Sequence, residues 1–89
     1  MEPDELLSLR NLGKTSSQWL HATGIHTPDQ LRQLGPVEAY RAVRARGFNA
    51  SKALLFAIAG ALQDTHWKDL DPAYKQRLLD QLMQSGRAD

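Results

Sequence analysis

The chain has 89 residues, no cysteine, a formal charge of +1 and a mean hydropathy of −0.49. That is enough sequence for one domain, 1–89, folding alone with a thin margin. The absence of cysteine excludes disulfide staples and thiolate chemistry, and from an acidic start without an apolar leader core no secretory leader is expected. The expectation is a cytoplasmic protein with no membrane span.

The small net charge hides an asymmetry. Residues 1–9 carry Glu2, Asp4 and Glu5 and no base. Residues 10–52 carry Arg10, Lys14, Arg32, Arg41, Arg44, Arg46 and Lys52 against Asp29 and Glu38, a balance of +5. A basic middle suits either an acidic partner or an ordinary solvated surface.

Taken in order, the chain reads as a series of short helices. Pro3 suits the first position of a helix that Leu6, Leu7 and Leu9 continue to Arg10, before Asn11 and Gly13 break it. Thr15-Ser16-Ser17-Gln18 has capping-box spacing and predicts a second helix from Ser16, with Trp19, Leu20 and Ala22 buried and Gly24 beyond its end. Thr27-Pro28-Asp29-Gln30 combines a cap, a proline at the first helical position and a box-closing glutamine. This third helix turns Leu31 and Leu34 inward and Arg32 outward, and Gly35 ends it.

Pro36 opens a fourth helix with Val37, Tyr40 and Val43 as its apolar stripe and Glu38, Arg41 and Arg44 opposite. Gly47 stops it and Phe48 folds back as a plug. Asn49 is expected to cap the next helix, which runs to about Gln63 and contains Ala53 to Leu62, A-L-L-F-A-I-A-G-A-L, with no polar side chain. Ten apolar residues are too few for a bilayer, which needs about 20, and too rich in Ala and Leu for a strand. A helix apolar nearly all round belongs in the middle of a core. His66 to Leu70 is a connector anchored by Trp67 and Leu70. Asp71-Pro72 then starts a last helix with Tyr74, Leu78, Leu79, Leu82 and Met83 inward. The expected fold is therefore all-α: five to six short helices around one central apolar helix, with residues 1–5 and 85–89 frayed.

One turn carries a chemical possibility. Leu9-Arg10-Asn11-Leu12-Gly13-Lys14-Thr15-Ser16, followed by Gly24-Ile25-His26-Thr27 and Leu31, resembles a helix-hairpin-helix. Gly13 permits the tight turn. The backbone amides of Gly13, Lys14 and Thr15 at the start of the following helix are then unpaired and face outward. The helix dipole favours a nearby anion by about 0.3–1 kcal/mol, and Lys14 adds a full charge. Asn11, Gly13, Lys14, Thr15 and Ser16 are the candidate cradle for a phosphate or a partner; the alternative is a hairpin that only packs helices. The first glycine of a DNA-binding hairpin is replaced by Asn11. The resulting N-L-G turn resembles the hairpin in the C-terminal domain of the RNA polymerase alpha chain. A second candidate surface is Arg41 and Arg44 with Lys52, read either as a basic binding face or as solvated charge with Arg41 paired to Glu38.

The resemblance runs further. L-R-N-L-G-K-T-S, G-I-H-T-P-D-Q-L-R-Q-L-G, V-E-A-Y-R-A-V-R-A-R-G, L-L-F-A-I-A-G-A-L-Q and H-W-K-D-L follow in the order seen in the C-terminal domain of TfoX (Sxy) proteins, regulators of natural competence, across roughly residues 9–79. The resemblance implies a SAM-like or helix-hairpin-helix bundle. It also implies a role in transcriptional activation of DNA-transformation genes, in concert with a cyclic-AMP-dependent activator. Longer members carry an N-terminal α+β domain, so the chain reads as a free-standing or an excised C-terminal module. The expected partners are a protein of the transcription machinery or a TfoX N-terminal domain, with the DNA backbone as the alternative.

Other chemistries find little support. His21, His26 and His66 lack the i+3 or i+4 companions of a helical metal site. Ser16, Ser17 and Asp71 are explained as helix-start residues, no P-loop is present, and no cofactor is expected. Trp19 and Trp67 read as core anchors rather than base-stacking platforms. The expectation is a non-catalytic interaction module.

Overall fold

Leu55, Ile58 and Ala59, in the middle of the uncharged run, have no exposed surface, and Leu54, Gly60 and Ala61 are buried beside them. A computed structural model describes residues 5–86, with side chains through residue 84. After a 3-10 turn at Glu5–Ser8 come α1 (Lys14–Ala22), α2 (Pro28–Leu34), α3 (Pro36–Ala45) and α4 (Lys52–Leu62). A second 3-10 turn at Trp67–Asp69 leads into α5 (Pro72–Gly86). There is no strand among the described residues, and the expected all-α architecture holds. Burial of each large apolar side chain contributes on the order of 1.5–3 kcal/mol, so the core is the main source of stability.

The apolar helix α4 does not fill the centre alone. It packs mainly on α3, and α3 in turn touches α1, α2, α4 and α5. The stripe Val37, Tyr40 and Val43, with Ala39, is buried as its spacing predicts. Along one flank of α4, Ala53 is exposed and Ala57 half-buried. Their methyl groups are too small to fill the space over them, and a groove opens there.

Local stop signals set most element ends. At α2 the box forms: the Thr27 hydroxyl accepts from the Gln30 amide at 3.1 Å, and the Gln30 side chain accepts from the Thr27 amide at 3.2 Å. At the end of α1, Gly24 adopts φ +92°, with Ile25 donating to the Leu20 carbonyl and Gly24 to that of His21, a Schellman closure. Gly35 has φ +87° and ψ 161°, a region open in practice only to glycine, and it alone joins α2 to α3. Asp71 caps α5 by accepting from the Ala73 amide.

Several expectations need correction. The stretch before Asn11 is a four-residue 3-10 turn with Leu6 buried and Leu7 exposed, not a helix to Arg10; the expected start at Pro3 lies outside the described residues. Helix α1 begins at Lys14, not Ser16, because the Gly13 carbonyl already accepts from the Ser17 amide at 2.9 Å. Thr15 and Ser16 thus lie inside the first turn and cap nothing. Asn49 does not cap α4: Ser51 is the cap residue and makes no side-chain cap bond. The preceding residues are committed elsewhere, Phe48 stacked on Trp19 at 5.6 Å and the Ala50 carbonyl accepting from Tyr40 and Arg44. Leu34 is 41% exposed, since Leu31 and Val37 occupy the core at the α2–α3 corner. Met83 is 67% exposed; five residues beyond the buried Leu78, a helix has turned about 140° away.

The hairpin turn is tied to the end of α4 by one side chain. Asn11 has φ +73°. Its Nδ2 donates to the Thr65 carbonyl at 2.9 Å and the Ala57 carbonyl at 3.4 Å, and its Oδ1 accepts from the Trp67 amide at 3.2 Å. The approach is possible because residue 60 is glycine: a Cβ there would lie 2.6 Å from Asn11 Nδ2 and 2.6 Å from the Thr65 carbonyl oxygen. Beside it, Arg10 pairs with Asp64 at 3.4 Å.

Two outcomes follow for denaturant or thermal melts. Gly60→Ala should destabilise by about 1–3 kcal/mol through overpacking, despite alanine's better helix propensity; a neutral or stabilising result would show that this contact is slack. Asn11→Gly keeps the backbone conformation while removing the three hydrogen bonds, and should cost about 1–3 kcal/mol.

Candidate functional site

The glycine turn delivers the chain into α1 with its amides bare. Gly13, Lys14 and Thr15 are exposed and Ser16 half-buried. The amides of Gly13, Lys14, Thr15 and Ser16 have no hydrogen-bond partner among the described residues, and Gly13 offers no side-chain cap. The physical ingredients of an anion cradle, unpaired N–H groups plus a helix dipole, are therefore present at the elbow. Asn11 plays a different part, since both ends of its amide are used inside the fold.

Asn11, Thr15 and Ser16 also edge a groove of about 420 Å³. Trp19, Leu54, Ala57 and Trp67 give it an apolar lining, and Asn49, Ser51 and Ala53 close the far side. No charged residue among the described residues lines it. Gly13 and Lys14 stand outside it. Both tryptophans are half-buried rather than core. Trp19 stacks on Phe48, and Trp67 carries the Nζ atoms of Lys68 and Lys75 over its ring at 5.7 and 5.8 Å. Lys75 also lies 5.7 Å from the Phe56 ring centroid, so one ammonium staples α5 to α4 and to the Trp67 turn.

The second set of candidates, Arg41, Arg44 and Lys52, is likewise brought together. The three line a separate groove of about 520 Å³ with Tyr40, Ala45 and Leu82. Their availability differs. Arg41 pairs with Glu38 at 3.2 Å. Arg44 donates through Nη1 to the Ala50 carbonyl at 2.8 Å and lies over the Tyr40 ring at 5.9 Å. Lys52 is exposed and has no partner among the described residues.

Every arginine of the basic middle segment has an internal task. Besides Arg41 and Arg44, Arg10 pairs with Asp64, Arg32 with Asp29 at 2.9 Å, and Arg46 donates twice to the Ala22 carbonyl, at 2.6 and 3.0 Å. Charge counted along the sequence does not reveal this. Sequence reading also missed the two grooves, because half-exposed Trp19, Trp67 and Leu82 follow the same spacing as core residues. The one usable signal was the small pair Ala53 and Ala57, one turn apart on a helix.

The histidines fall into two places. The Nδ1 atoms of His21 and His26 are 2.7 Å apart with their rings stacked, while the His66 Nδ1 accepts from the Lys68 amide. The described residues contain no group of three or more His, Cys, Asp or Glu placed to hold a metal ion. No helix among them is long and apolar enough to cross a membrane.

Comparison with known proteins places this geometry in a family. No curated protein matches the chain. Solved structures do, among them two of proteins from Listeria monocytogenes. An uncharacterized protein in a triclinic form has a TM-score of 0.83 and 32% identity, covering 92% of this chain and 93% of that one. A protein of unknown function in a tetragonal form has a TM-score of 0.81 and 35% identity, covering 90% and 98%. The sequence pattern of the TfoX C-terminal domain matches residues 2–82. With a match over nearly its whole length and the helical bundle to go with it, the chain belongs to the TfoX C-terminal domain family.

Proposed function

We propose that the domain is a non-catalytic docking module that binds another protein during transcriptional activation of DNA-transformation genes. The partner would be a component of the transcription machinery or a TfoX N-terminal domain. Family membership supports the regulatory setting. The observation that carries docking over DNA binding is the pairing of Arg10, Arg32 and Arg41 with carboxylates of the chain itself, which offsets three of the seven cations of the basic middle segment. A surface that tracks a phosphate backbone needs cations free to release counterions. The surface also presents a concavity lined by Trp19, Leu54, Ala57 and Trp67 and another where Leu82 lies among Arg41, Arg44 and Lys52.

Weak, sequence-independent DNA binding is the second reading. The bare amides of Gly13 to Ser16 with exposed Lys14 favour it, and such contacts would position a backbone without reading bases.

Titration of a labelled duplex at low and at high salt separates the two. The docking reading expects no duplex binding at low salt, together with retention of the chain by purified RNA polymerase or by a TfoX N-terminal domain. Duplex binding with a steep salt slope that Lys14→Glu lowers by about one would establish the DNA reading in its place.

A further inference from the structure

The groove between α3, the start of α4 and α5 has a chemistry that specifies its occupant more narrowly than docking alone. Arg41, Arg44 and Lys52 stand around it, no carboxylate among the described residues lines it, and Leu82 supplies apolar surface beside the buried Tyr40. Tyr40 is 3% exposed and Leu82 half-buried, so the apolar part is firmly seated. The cations are graded in availability. Glu38 already offsets Arg41. Arg44 is fixed in place through Nη1 and the Tyr40 ring, while its Nε and Nη2 have no partner among the described residues. A guanidinium held by one edge presents the other to a carboxylate with little ordering left to lose. Lys52, on the first turn of α4, projects where the helix dipole adds to its charge.

We infer that this groove binds an acidic amphipathic segment of a partner protein, with carboxylates meeting Arg44 and Lys52 and one apolar side chain resting on Leu82. The inference rests on the docking reading above and names the surface and the partner's chemistry. Charge complementarity selects the acid. The apolar surface of Leu82 selects a peptide over a phosphate backbone, which has no apolar side chain to seat there. Two available cations at one concavity are also too few to track a duplex.

The test uses the full 89-residue chain, isotope-labelled for amide chemical-shift mapping. The probe is a synthetic amphipathic peptide of Leu and Glu at helical spacing. Its controls are the same peptide with Lys for Glu, and with Ser for Leu. The expected result is that only the Leu–Glu peptide binds, shifting the amides of Arg44, Ala45, Lys52 and Leu82. Its affinity should fall about tenfold with added salt. Lys52→Glu should weaken it by about tenfold as well, reversing one of the two available charges. That variant is expected to keep its fold, because an acid in the first turn of a helix is favourable; an unchanged melt confirms it, and Lys52→Ala should fall between.

Equal binding of the Lys peptide would overturn the charge argument, and equal binding of the Ser peptide the apolar contact. Shifts confined to Trp19, Ala57 and Trp67 would overturn the assignment to this groove while leaving the docking reading intact. A duplex that displaced the peptide from the same amides would overturn both.

Discussion

One primary amide connects the two halves of this molecule. The Asn11 side chain sits where the chain turns into α1, and it bonds to three backbone groups around the end of α4, all some fifty residues away in sequence. It is possible only because Gly60 leaves room and because asparagine tolerates φ +73° better than most residues. The elbow that presents the bare amides of α1 is therefore not a free loop. It is fixed to the most buried helix, so that anything bound at the elbow acts on a rigid body. The Arg10–Asp64 pair nearby adds little to this, being exposed on both sides.

That arrangement explains which features were legible in the sequence. Thr27-Pro28-Asp29-Gln30 and Asp71-Pro72 are local devices whose partners lie within three residues, and both form as read. The apolar run and the stripe of Val37, Tyr40 and Val43 are periodic signals, and both are buried. The failures share a different cause. Thr15-Ser16-Ser17-Gln18 has capping-box spacing, but a tertiary tie at Asn11 and the permissive Gly13 start the helix earlier. Asn49 is a plausible cap by type, but the strong contacts of Phe48 and Ala50 hold the chain extended beside it. Leu34 and Met83 keep apolar spacing, yet they stand at a corner and on the outer side of α5, where no neighbour covers them.

The candidate surfaces were legible in a weaker sense. Residue type and order pointed to Lys14, Thr15 and Ser16, and to Arg41, Arg44 and Lys52, and the fold gathers each set into one place. What could not be read was availability. A carbonyl at Ala50 or Ala22 tethers an arginine without neutralising it, and no charge count includes it. The two similar Listeria monocytogenes structures share the fold and are themselves without an assigned function, so the architecture alone carries none. The functional reading has to come from which groups remain unspent.

The joint at Gly35 has a consequence for how this family can vary. A single residue, at φ +87° and ψ 161°, separates the last residue of α2 from Pro36 of α3. Inserting one more residue there would either be looped out at a corner with no slack or swing α3 about its axis by about 100°. The latter would carry Tyr40 and Val43 off the core and scatter the cations that α3 contributes. Insertions and deletions among relatives should thus be concentrated elsewhere, leaving this corner of constant length even where its neighbours drift.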